Sequence, residues 1–164
     1  MKPRFILVMG VSGCGKTSVG KALADQLGWG FYDADDFHPP ENVAKMANGI
    51  PLDDADRAPW LAALHDLVSD SLRDERPGVL ACSALKERYR QQLLGGNEGV
   101  LIVHLQGNFD LIWSRMEKRT DHYMKPHMLK SQFETLEEPA GALTMNIAMP
   151  VADIVQEISK QVKG

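Results

Sequence analysis

The chain has 164 residues, a formal net charge of −4 and no long basic run. One domain over 1–164 is the expectation, and nucleic acid is disfavoured as a partner. No apolar stretch is long enough to span a bilayer, so no membrane partner is expected. Two cysteines, Cys14 and Cys82, make no disulfide framework, and the N-terminus runs straight into a motif that a cleaved leader would destroy. Both features point to the cytoplasm.

The first element is an apolar run, Arg4 to Met9, leading into Gly10-Val11-Ser12-Gly13-Cys14-Gly15-Lys16-Thr17. A strand, a G-x-x-x-x-G-K-T turn and an immediate helical pattern are the context that a phosphate-binding loop requires. Its glycines bring backbone N–H groups close to a phosphate, and the following helix adds unpaired N–H groups and the positive end of its dipole. Lys16 is placed for the outer phosphates and Thr17 for Mg²⁺, with Ser12, Cys14 and Ser18 completing the phosphate-binding set. Val19, Leu23 and Leu27 then mark one helix face, ending near Gly28.

Residues 30–35 read as a second strand with a polar end, Asp33 and Asp35. Pro39-Pro40 opens a short helix over about 40–48. Residues 50–58 read as an acidic, turn-rich connection, and Pro59 as the start of a helix carrying Trp60, Leu64, Val68 and Leu72. Val79 to Cys82 is a buried-strand candidate. Ser83 reads as the cap of a helix running to Leu94. Val100 to Leu105 reads as a strand, and Asn108 caps the next helix. A charged connection over 119–126 leads to a helix over about 127–137. A weak strand over 144–147 and a helix over 151–162 end the chain. Strands alternating with helices imply a parallel sheet covered on both faces, with ligands beyond the carboxyl ends of the strands.

Residues two apart at a strand end share a face, so Asp33 and Asp35 both turn toward the phosphate loop. The alternative is a solvated strand end with capping duties. The third strand ends in Cys82-Ser83 with no acid, which argues against a GTPase or motor-type ATPase and leaves Asp33 as the metal-side carboxylate, acting through water. A phosphorylated acceptor needs several cations, yet between 36 and 56 the only one is Lys45, and Arg57 is the only nearby arginine. One guanidinium suits one carboxylate, and Asp35 and His38 suit hydroxyls. A small hydroxylated acid is therefore favoured over a nucleoside monophosphate, with Asp35 as base or orienting acid. The alternative for Arg57 is a surface pair with Asp53, Asp54 or Asp56.

Residues 118–125 are rich in donors and suit a cationic lid, with Arg119 first and Arg115 next in that role. The alternative is a charged surface connection. Lys86 and Arg90, four apart, either reach substrate or fix a lid acid, or form a solvated face. Cys14 is a small loop side chain or a thiol activated by the helix dipole. His104, on a strongly apolar strand, reads as a core residue.

Five segments resemble gluconokinases of the small P-loop type: GVSGCGKT, FYDADDFHPPEN, GIPLDDADRAPWL, CSALKERYR and SQFETLEEP, spanning about 10 to 139. The resemblance implies an α/β three-layer P-loop kinase fold like those of adenylate and shikimate kinases. That fold has a five-stranded parallel sheet with helices on both faces, an acceptor-binding segment at about 36–58 and a small lid at about 119–128. It implies transfer of the γ-phosphoryl group of ATP to the 6-hydroxyl of D-gluconate, Mg²⁺ dependence and a cytosolic homodimer. Matched by position, Gly13, Gly15, Lys16 and Thr17 are phosphate and metal elements, and Asp33 and Asp35 the paired acids. Arg57 binds the substrate acid, Lys86 and Arg90 form the K-x-x-Y-R element, and Arg119 and His122 belong to the lid. Cys14 stands where serine is common, and Thr120-Asp121 precede His122 where a glycine is common.

Overall fold

Five apolar residues in succession, Phe5–Met9, are all fully buried, as a strand covered on both faces requires. The computed structural model describes residues 2–118 and 126–163. This strand, β1, is the centre of a parallel sheet completed by β2 (Gly30–Asp33), β3 (Gly78–Ala81), β4 (Val100–Gln106) and β5 (Leu143–Asn146), in the order β2-β3-β1-β4-β5. Leu7 pairs with Leu80 on one side and Ile102 on the other.

Alternation along β1 divides the core. Ile6 and Val8 face a cluster with Val19, Leu23, Ile112, Ile154 and Ile158. Phe5, Leu7 and Met9 face a second cluster with Trp60, Leu64, Val68 and Leu93. Each such buried side chain contributes about 1.5–3 kcal/mol before chain entropy is charged against it. The first layer comes from helices α1 (Lys16–Leu27), α5 (Phe109–Glu117), α6 (Pro126–Thr135) and α7 (Val151–Lys163). The second comes mainly from α3 (Asp54–Arg73) and α4 (Glu87–Leu94). Helix α2 (Pro40–Ala47) is a short outlier beside α3. The parallel, two-sided architecture expected from the alternation of elements is the one observed.

Three local expectations need correction. The second strand stops at Asp33, and Ala34–Phe37 form a turn of 3₁₀ helix capped by the Asp33 carboxylate, which accepts the Asp35 N–H at 3.0 Å. Helix α3 starts at Asp54, not Pro59: Asp53 and Asp56 close a reciprocal capping box at 2.7 and 3.0 Å, and Pro59 sits inside the helix. Two satisfied orphan donors outweigh the preference of proline for a helix start. Ser83 does not cap α4, whose N-cap is Lys86; Ala84 adopts a left-handed φ of 42°, which breaks any helix over 83–86.

Candidate active site

Gly10 to Thr17 turn the chain from β1 into α1 at the carboxyl edge of the sheet. Gly13 has φ +81°, and a Cβ there would lie 2.6 Å from Met116 Cγ. Gly15, the residue before α1, has φ +96°. Any side chain at either position strains the loop. Lys16 Nζ donates to the carbonyls of Gly10 and Val11 at 3.0 and 3.1 Å, which holds the ammonium over the loop.

A cavity of about 170 Å³ opens beside the loop. Lys16, Thr17, Asp33, Asp35 and Ser83 line it, together with Ser12, Gly13, Gly15 and Ser18. Asp33 and Asp35 thus reach one cavity, though by a strand end followed by a 3₁₀ turn rather than by strand alternation. Restricted hydration and then the Asp33 charge push the Asp35 carboxyl above its ordinary value, with His38 and Lys16 opposing. A second cavity of about 410 Å³ shares Gly13, Gly15 and Ser18 with the first. Its far walls are Arg115, Met116, Ala148, Met149 and Pro150. Arg115 is fixed there by donating to the Ile147 carbonyl at 2.7 Å. The wall at 148–150 carries no motif and is found only when the β5–α7 connection is seen to fold against the loop.

Cys14 lies in this lining, 1% exposed. Burial raises its thiol pKa against the opposing Lys16 charge, so the thiol is protonated filler and not an activated nucleophile. Burial pushes Cys82 up to about 12.

On the acceptor side, Trp60 Nε1 donates to the Ala34 carbonyl at 2.7 Å, tying α3 to the turn that carries Asp35. His38 stacks on Trp60 with ring centroids 4.4 Å apart. Lys45 is committed to Asp56 at 2.8 Å. Arg57 lies 3.8 Å from Asp54, donates to Tyr89 Oη at 3.2 Å and lies 5.4 Å from the centre of that ring. Arg88 and Lys86 flank the same ring at 5.2 and 5.8 Å. Tyr89 thereby gathers three cations at the edge of α3 and α4, which single residues in the sequence did not announce.

Arg90 stands apart from these. It is 2% exposed, donates to the carbonyls of Ala84 and Glu137 at 2.7 Å each, and holds Glu87 at 2.8 Å. Its hydrogen-bonding capacity is spent inside the protein, away from the cavity wall. Lys86 precedes α4, so the shared helix face expected for the two residues does not exist. His104 is 2% exposed, as the reading of a core residue anticipated. Arg119 and His122 lie outside the described residues.

Two further residues lie inside the quoted segments, where neither takes a role from the sequence alone. Gln132 of α6 accepts the Ser12 N–H through Oε1 at 2.7 Å and donates from Nε2 to Ser12 Oγ at 3.0 Å. Asn42 of α2 is 2% exposed and holds both His38 and the start of α3.

A glycine-rich phosphate loop, a lysine over it, two carboxylates in the same cavity and a parallel sheet beneath define a P-loop phosphotransferase. The shikimate kinase family profile matches residues 12–162. A gluconokinase from Gluconobacter oxydans (strain 621H) is 48% identical over 139 residues, covering 85% of this chain and 78% of that protein. The thermoresistant gluconokinase of Escherichia coli (strain K12) is 42% identical over 161 residues, covering 96% and 92%. The crystal structure of a gluconokinase from Sinorhizobium meliloti 1021 superposes with a TM-score of 0.85 at 44% identity, covering 98% and 92%. The chain belongs to the gluconokinases of the shikimate kinase family.

Proposed function

We propose that the chain is an ATP-dependent gluconokinase, transferring the γ-phosphoryl group of ATP to the 6-hydroxyl of D-gluconate to give 6-phosphogluconate and ADP. The observation that carries this is identity above 40% to gluconokinases across most of the chain. The placement of Lys16 and Asp35 on one cavity supports it.

In this reading the loop amides and Lys16 take the β- and γ-phosphates, and the base lies in the cavity walled by Arg115 and Pro150. Asp35 orients the acceptor hydroxyl and accepts its proton as the bond to phosphorus forms. A raised carboxyl pKa suits that task. Arg57 binds the gluconate carboxylate, holding the reacting hydroxyl in line, with His38 on the hydroxyl chain and Lys86 at the rim. Arg119 and His122 act from the lid. Arg90 braces the connection after β3 against the chain that follows α6. Among the described residues no cluster of three or more metal-ligating side chains occurs. Thr17 and Asp33 line one cavity, which suits Mg²⁺, an ion that keeps most of its water and takes few protein ligands. Thr17 would hold it directly and Asp33 through water, and the ion would supply charge neutralisation between the phosphates.

A coupled ADP-release assay across gluconate, shikimate and AMP tests the assignment. Turnover with gluconate alone is the expected outcome; ATP binding with no turnover on any of the three would sink it. A single catalytic domain, the homodimer and the cytoplasmic location belong to the same reading. Analytical ultracentrifugation at micromolar concentration tests the dimer.

A further inference from the structure

The ring of His38 has one face against Trp60, which fixes its plane. Its rotation and its proton are settled by Asn42. The Asn42 Nδ2 atom lies 2.8 Å from the main-chain carbonyl oxygen of Asp56 and 3.2 Å from His38 Nδ1. A carbonyl oxygen only accepts, so the Asn42 atom facing it is the NH₂ nitrogen and not the amide oxygen. That nitrogen carries two hydrogens and no available lone pair. With one hydrogen directed to Asp56, the other meets His38 Nδ1, which must then be the bare, accepting nitrogen. The remaining ring hydrogen is on Nε2.

We infer that Asn42 is a positioning residue that locks His38 in its Nε2–H form, so that the imidazole serves the acceptor side as a hydrogen-bond donor and never as a base. The inference rests on the reading of His38 as an acceptor-binding residue. A donor there matches the oxygens of a polyol chain. It also leaves Asp35 as the group that takes the proton. Burial lowers the His38 pKa, the Arg57 charge adds to this and the Asp35 charge opposes it. The ring is therefore neutral at physiological pH, where its tautomer matters. Asn42 itself is 2% exposed. A buried carboxamide whose two N–H groups are both spent on defined acceptors is an orienting device of the kind that sets histidine tautomers elsewhere.

Long-range ¹H–¹⁵N correlation spectra of the full chain, labelled at histidine, test the first half directly. The Nε2–H pattern for His38 is expected; an Nδ1–H pattern overturns the inference. Asn42→Asp tests the second half, because a carboxylate of the same shape only accepts and draws the proton to Nδ1. The His38 pattern should invert, with kcat on gluconate falling about tenfold, the worth of one hydrogen bond of about 1.4 kcal/mol, and KM for ATP unchanged. Inversion without loss of turnover overturns the donor role. Should Asn42→Asp not fold, His38→Gln and His38→Met replace it. Glutamine places an N–H near the Nε2 position and methionine does not, so His38→Gln should lose less than His38→Met; equal losses overturn the donor role. Absence of gluconate turnover in the unaltered protein would defeat the proposed function instead, and leaves the spectrum to decide the tautomer.

Discussion

Gln132 and Ser12 hold each other at two points although 120 residues separate them: the Ser12 N–H donates to Oε1 at 2.7 Å and Nε2 donates to Ser12 Oγ at 3.0 Å. The third residue of the phosphate loop is thus fixed by α6. Gln132→Leu keeps the bulk and removes both bonds. A five- to tenfold loss in kcat/KM for ATP is expected, about 1 kcal/mol. Combined with Ser12→Ala, the effects should be non-additive by about 0.5–1 kcal/mol in a double-mutant cycle; simple additivity would show that the contact does not matter.

Lys16→Ala removes the cation held over the loop. Loss of roughly 10²–10³ in kcat is expected, comparable to deletion of one electrostatic donor. Steady-state turnover within tenfold of the unaltered protein would contradict the role given to Lys16.

Asp35→Asn separates chemistry from stability. Removal of the proposed proton acceptor should lower kcat by about 10²–10⁴ while ATP affinity, read by calorimetry, stays within twofold or so. The fold should respond oppositely. The Asp35 pKa is raised above the ordinary value of an aspartate. Its favourable contribution is complete below that value and is lost as pH rises through the higher folded value. Asp35→Asn should therefore gain about 1–2 °C in Tm at pH 7, a small gain because the carboxyl is only partly withdrawn from solvent, and none near pH 3.5.

Arg57→Lys replaces a planar fork by a point charge. KM for gluconate should rise about tenfold with KM for ATP unchanged. An unchanged KM for gluconate would return Arg57 to a surface partner of Asp54.

Arg90→Met tests a role in architecture. It strands the Ala84 and Glu137 carbonyls and frees Glu87, at a cost of about 3 kcal/mol, which lowers Tm by roughly 6–12 °C. Denaturant melts measure this. A fall in gluconate affinity without a fall in stability would restore Arg90 to the substrate.

What the sequence disclosed follows from distance along the chain. The strand, phosphate loop and α1 form one unbroken local pattern, and alternation of elements was enough for the parallel sheet. The start of α3 was misplaced because Pro59 is a louder signal than the paired aspartates that cap the helix. Arg90 and Lys86 were grouped by a spacing that has meaning only inside a helix, and Lys86 lies just before one. Gln132, Asn42 and the wall at 148–150 act through contacts across the fold, so as single polar or apolar letters they resemble any others. The cavity that joins Asp33 to Asp35 was anticipated through an extended strand, and the chain reaches the same place through a capped 3₁₀ turn.

Pro59 within α3 has a mechanical effect. Having no N–H, it leaves the Ala55 carbonyl without its partner one turn ahead. The helix is therefore two pieces in its stiffness: a beam from Trp60 onward, anchored between the sheet and α4, and a capped stub from Asp54 to Ala58 that carries Arg57. The stub is joined to the beam by one bond fewer than a continuous helix would supply. Arg57 sits on that stub, two residues before the proline, so its position depends on the cap and on the bonds of Asp56 to Asn42 and Lys45 rather than on an unbroken helical ladder.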